Sequence, residues 1–167
     1  SNASQADIDA IAAQLDIKYE LISNRQKDKC DEANTGGLCF EAKLTLTAKE
    51  DINVKGWQIY YSQIAPLHNY DSEDFVVEHL NGDMHRISLK DSFTGLKANE
   101  SREIVYRAGF WSMAESDVMP NFIVTAEQLS PQVIASTKAT TDSDTGLEVL
   151  PFVTPYTDHE HHFKRSA

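Results

Sequence analysis

The chain of 167 residues holds only two cysteines, five prolines and seven glycines, and no long apolar run. With no stretch of 18 apolar residues, nothing reads as a membrane-spanning helix. Positive charge is scarce as well: 15 Lys and Arg stand against 26 Asp and Glu, for a net charge of −11. A polyanion partner needs a positive surface, so nucleic acid is disfavoured and none is expected as a partner. The sequence also lacks Gly-x-Ser-x-Gly, a P-loop and Gly-x-Gly-x-x-Gly, the common signatures of acyl transfer and of phosphate or dinucleotide binding. No cofactor is expected.

What remains is the profile of one domain with a substantial core. Hydrophobic residues make up 41% of the chain, the mean hydropathy is −0.43, and 167 residues is a common single-domain length. Ser1-Asn2-Ala3 reads as a cloning scar and is set aside. The domain is expected over residues 4–156, with 157–167 as a tail leading towards a missing catalytic domain. No leader segment is read in the chain.

The two cysteines, Cys30 and Cys39, lie in "CDEANTGGLC". Their spacing does not fit a Cys-x-x-Cys redox or zinc motif. Gly36-Gly37 lets the segment turn back on itself, and a bridge would close a loop of about ten residues, worth about 3 kcal/mol in the chain-entropy account. We expect a disulfide here, and with it an oxidising compartment; the alternative is two unrelated buried thiols.

Periodicity supplies the architecture. In "QADIDAIAAQLD" (5–16), Ile8, Ile11, Ala12 and Leu15 fall on one helical face, with Ser4 and Asp7 placed as a capping box. The period then changes. Strand-like runs occur at 17–23, 40–48, 56–63, 75–80, 84–90, 102–110 and 121–128, with a weaker one after Pro131. Many are β-branched or aromatic, and Asn, Asp and Gly bound them. In "AKLTLT", Leu44 and Leu46 oppose Lys43, Thr45 and Thr47, as in a strand with one buried face. In "GWQIYYSQ", Trp57, Ile59 and Tyr61 share one face and Gln58, Tyr60 and Ser62 the other. The expected fold is all-β: an antiparallel two-sheet β-sandwich with a short N-terminal helix. From Thr140 the chain turns polar and reads as a docked extended segment.

Asn81-Gly82 in "EHLNGDMHRISL" (78–89) reads as a type I′ hairpin turn. With those two residues at its centre, Glu78 faces His85, Val77 faces Arg86, and His79 and His85 fall on opposite faces, which excludes a shared metal ion. "DHEHHF" gathers Asp158, His159, His161 and His162, but the spacing does not place two ligands on one helical turn, and the segment reads as a hydrophilic tail. The acid pairs Asp31-Glu32, Glu50-Asp51 and Glu73-Asp74 read as solvated loops. No catalytic or metal-binding residue is assigned.

The aromatic residues carry the functional signal. Rings stacked on sugar faces suit a sandwich domain, because an amphipathic ring offers much contact area with few rotors to freeze. Trp57 and Phe122 read as core. Trp111 and Tyr70, near strand ends or in loops, are candidate sugar platforms, together with Tyr60.

One combination of motifs goes further. "GFWSMAESDVMPNFIVTAEQLSPQVIAST" (109–137), with "GWQIYYSQ" (56–63) and "HLNGDMHRI" (79–87), resembles the N-terminal domain of bacterial chitobiases and β-N-acetylhexosaminidases of glycoside hydrolase family 20. The resemblance runs from about Ile8 to Phe152. It implies a β-sandwich similar to cellulose-binding modules, a carbohydrate-binding role, placement before a catalytic barrel, and export to the periplasm, outer membrane or exterior. The family's catalytic Asp-Glu pair sits on a TIM barrel, which needs about 250 residues, so no catalytic residue carries over. The implied partners are chitin-type N-acetylglucosamine oligomers and the catalytic domain of the same polypeptide. The competing reading is a purely structural module that positions that domain without touching sugar. Within the shared motif, Asp117 is expected to bond nearby backbone amides, and Arg86 to pair with an acid.

Overall fold

The computed structural model describes residues 2–23, 39–109 and 117–155. Helix α1 (Gln5–Gln14) starts as expected: Ser4 Oγ accepts from the Asp7 amide at 3.3 Å, and Asp7 Oδ2 accepts from the Ser4 amide at 2.8 Å. It buries Ile8, Ile11 and Ala12.

Twelve strands succeed it among the described residues: β1 (Asp16–Ser23), β2 (Phe40–Thr47), β3 (Trp57–Ser62), β4 (Leu67–Ser72), β5 (Phe75–Asn81), β6 (Met84–Leu89), β7 (Ser101–Ala108), β8 (Ile123–Ala126), β9 (Gln132–Val133), β10 (Thr140–Thr141), β11 (Glu148–Val149) and β12 (Val153–Thr154). The first sheet has the order β12-β1-β2-β7-β4 and the second β5-β6-β3-β8-β9; β10 and β11 form a separate hairpin. Every pairing within the two sheets is antiparallel except β12 on β1. The fold is the expected two-sheet sandwich.

Alternation builds the core between the sheets. From the first sheet come Ile17, Tyr19, Leu21, Ala42, Leu44, Leu46, Ile104 and Tyr106; from the second come Trp57, Ile59, Tyr61, Phe75, Val77, Ile87 and Val124, all buried. Trp57 packs edge-on against Phe93 at 5.8 Å and donates its indole N–H to the Val54 carbonyl at 2.9 Å. Phe122 stacks on Tyr61 at 4.8 Å.

The hairpin departs from the expected register. Gly82 and Asp83 occupy the two central turn positions, and Asn81 pairs with Met84. Of the two central residues only Gly82 has positive φ (48°), the pattern of a II′ rather than a I′ turn. A bulge between His79 and Asn81 then sets Glu78 opposite Arg86, His79 opposite His85, and Val77 opposite Ile87. The physical reason is burial: this register puts Val77 and Ile87 together in the core, whereas the expected one would have set Arg86 against buried Val77. So Glu78 does not face His85, and the two histidines are neighbours, with ring centroids 4.8 Å apart.

Candidate functional site

Of the three candidate rings, only Tyr60 lies on a described solvent-facing sheet surface. Trp111 falls outside the described residues. Tyr70, on β4, pairs with buried Tyr106 and packs half-buried against the core. Tyr60 is on β3, where Trp57, Ile59 and Tyr61 take the inner face and leave Gln58, Tyr60 and Ser62 half-buried on the outer one.

Strand register places a row of side chains across all five strands of the second sheet. Glu78 is opposite Arg86, Arg86 opposite Tyr60, Tyr60 opposite Ile123, and Ile123 opposite Val133. Neighbouring strands are about 4.8 Å apart, so the row is about 19 Å long. In the adjoining row, Val76 lies opposite Ser88 and Gln58 opposite Thr125. The surface thus alternates one phenol ring and several aliphatic groups with hydroxyl, amide and paired charged groups.

The polar members are held in place. Arg86 Nη2 donates to Glu78 Oε1 at 3.0 Å, and the Tyr60 hydroxyl donates to Gln58 Oε1 at 3.2 Å. Hydrogen bonding to Tyr60 first, and then to Glu78, raises the Arg86 pKa above its ordinary value. Arg86 Nε itself is buried without a hydrogen-bond partner. At the lower end of this face, Lys55, Gly56, Gln58, Ser88, Lys90 and Asp91 help line an open cleft of about 470 Å³.

The outer face of the first sheet has a different character. Lys43 lies between Glu20 (3.5 Å) and Glu103 (3.3 Å). Arg107, nearly buried, bonds Glu41 at 2.8 Å and Asp71 at 2.7 Å, and also reaches Asn69. Those charges satisfy one another, and no aromatic ring in the described residues of β1, β2 or β7 joins them on that face.

A third polar group lies inside. His85 is fully buried; its Nδ1–H donates to the Asp83 carbonyl at 2.9 Å, leaving Nε2 to accept from the Leu67 amide at 3.3 Å. Burial is the first cause holding its pKa below the ordinary value. Asp117 Oδ2 accepts from the Ala65 amide at 3.0 Å, and burial pushes its pKa up to about 6. The Asp117 bond is to a backbone amide, as expected, but one remote in sequence. The adjacency of His79 and His85 depends on the bulged register, which the sequence does not signal, yet the ring nitrogens of His85 are both committed. Among the described residues no group of three or more His, Cys, Asp or Glu could hold a metal ion; the Asp158–His162 cluster lies outside them, as does Cys30. No described helix is long and apolar enough to cross a membrane.

These surfaces can be set beside known proteins. Residues 14–167 match a family model described as "Putative carbohydrate binding domain". The chain is 31% identical to a β-hexosaminidase of Vibrio vulnificus over its full length, covering 20% of that protein. It is 29% identical to an N,N′-diacetylchitobiase of Vibrio harveyi over 88% of the chain and 17% of that protein. A solved GH20 exo-β-N-acetylglucosaminidase from Vibrio harveyi, in complex with N-acetylglucosamine, superposes with a TM-score of 0.48 and 11% identity, covering 86% of this chain and 18% of that one. The chain therefore spans about a fifth of the length of the curated relatives it matches.

Proposed function

The chain belongs to the carbohydrate-binding-domain family that these hexosaminidases contain, and from that premise we propose that it binds chitin-type N-acetylglucosamine oligomers across the outer face of the second sheet. It would do so as a non-catalytic accessory to a hexosaminidase catalytic domain in the same polypeptide. The observation that carries this reading is the row Glu78–Arg86–Tyr60–Ile123–Val133. A pyranose ring has an apolar face of C–H groups and a rim of hydroxyls. Tyr60 and its aliphatic neighbours suit the first, and Gln58, Ser88, Thr125 and Arg86 suit the second. Arg86 is already paired with Glu78, so the row presents balanced charge, which favours a neutral sugar over an anionic one.

The test is retention on insoluble chitin together with calorimetric titration by N-acetylglucosamine oligomers. Wild type should be retained, and Tyr60→Ala should lose retention with its melting temperature unchanged. Absence of retention and of heat at millimolar sugar in the wild type would end this reading.

We also propose that Cys30 and Cys39 form a disulfide and that the protein works in an oxidising compartment, the periplasm or beyond. Cys39 is fully buried at the entry to β2, where a thiol would be shielded from solvent and a bridge would tether the strand. Thiol titration under denaturing conditions should detect no free sulfhydryl before reduction and two after it.

A further inference from the structure

Large exposed apolar side chains are few among the described residues, and four of them gather at one end of the second sheet. Ile64 is 61% exposed, Met119 45%, Leu80 37% and Met84 37%. Backbone pairing brings their positions together. Met84 is the cross-strand partner of Ser62, and the Met119 amide donates to the Ser62 carbonyl at 3.0 Å. The Ile64 amide donates to the Asp117 carbonyl at 2.9 Å, and Leu80 lies at the bulge beside the Asn81–Met84 pair. This group adjoins the Tyr60 row, and the exposed Asn81 and Asp83 of the hairpin turn border it. Two thioethers and two aliphatic chains clustered in water mark an interaction surface.

We propose that this end of the sandwich docks against a neighbouring domain of the same polypeptide. Two observations select that occupant. First, the relatives devote about four-fifths of their length to other sequence, so a covalently attached neighbour is present at high effective concentration there. Second, the last strand points to this end. β12 runs parallel to β1, with Tyr19 opposite Val153 and Glu20 opposite Thr154, so it heads towards Ser23. Ser23 pairs with Glu41, Glu41 with Arg107, and the adjoining Ala108 with Leu67. Leu67 is three residues from Ile64. At Thr154, β12 is therefore directed at the end that carries the patch. The opposite end holds Asn2, bridged to Lys55.

The experiment compares amide hydrogen exchange in the 167-residue chain and in a complete polypeptide containing it. Segments 80–84 and 117–119 should exchange about tenfold more slowly, or slower still, in the complete polypeptide. Met84→Lys and Ile64→Lys, at exposed positions, should abolish that protection while leaving the melting temperature of the 167-residue chain unchanged. Equal exchange in the two proteins overturns the proposal. So does concentration-dependent self-association of the 167-residue chain that Met84→Lys removes, which would assign the face to a second copy. Protection of these segments by N-acetylglucosamine oligomers in the 167-residue chain would assign it to sugar and likewise overturn it. Failure of sugar binding on the Tyr60 row leaves the docking proposal standing.

Discussion

Replacing Asp117 with Asn should make the domain more stable at pH 8 and change it little near pH 4. Asp117 is 6% exposed and accepts one backbone hydrogen bond, from Ala65. No described salt bridge includes it. Burial raises its pKa, the Ala65 bond lowers it, and the charge of Asp83 raises it, for a folded value of about 6 against the ordinary 3.8. Between those values the folded chain holds the proton more tightly than the unfolded chain does. Its contribution to stability is therefore greatest below about pH 4, falls as pH rises to about 6, and stays flat above. A gap of about two pKa units corresponds to about 3 kcal/mol. Asn keeps an oxygen for the Ala65 amide and carries no charge, so Asp117→Asn should recover up to about 3 kcal/mol at pH 8. His85 titrates in the opposite sense: its lowered folded pKa makes stability fall as pH drops below 6.5. Urea unfolding of both proteins from pH 4 to 8 separates the two, because their difference removes the His85 contribution. A variant that is no more stable at pH 8, or a difference that does not shrink on acidification, would refute the reasoning.

Other positions give contrasting magnitudes in the same unfolding assay. Arg107→Ala strands Glu41, only 8% exposed, without its cation, and should cost about 3–5 kcal/mol. Asp71→Asn at the other end of that network removes a charge whose side chain is 74% exposed, and should cost less than about 1 kcal/mol. Gly109→Ala would drive a Cβ into the Ala65 Cβ at a φ of +52°; a loss of about 1–3 kcal/mol is expected. Reduction of the proposed Cys30–Cys39 bridge should lower stability by about 3 kcal/mol, and an unchanged denaturation midpoint would count against it.

The strands are legible where alternation is strong. Trp57, Ile59 and Tyr61 oppose Gln58, Tyr60 and Ser62, and the sheet uses that division directly. The edge strand β4 is not: "LHNYDS" has no apolar alternation, and most of its residues stay half-buried, because an edge strand is held mainly by its ladder to β7. β12 is legible only as an extended segment, since two residues cannot advertise a parallel partner far away in sequence. The hairpin shows a subtler limit. Asn-Gly marks the turn, but one bulged residue moves the register, and burial of Val77 against Ile87 decides it. Of the candidate site, Tyr60 can be placed on the outer face by counting along β3. Its neighbours Ile123 and Val133 cannot, because they arrive by long-range pairing. Tyr70 reads as a loop ring in the sequence because its strand gives no periodic signal.

The central claim is that sugar lies on the Tyr60 row, and chemical-shift mapping during titration with N-acetylglucosamine oligomers tests it most directly. Perturbations should concentrate on Gln58, Tyr60, Glu78, Arg86, Ser88 and Ile123, and disappear in Tyr60→Ala. Shifts confined to the outer face of the first sheet, or none at millimolar sugar, would contradict it.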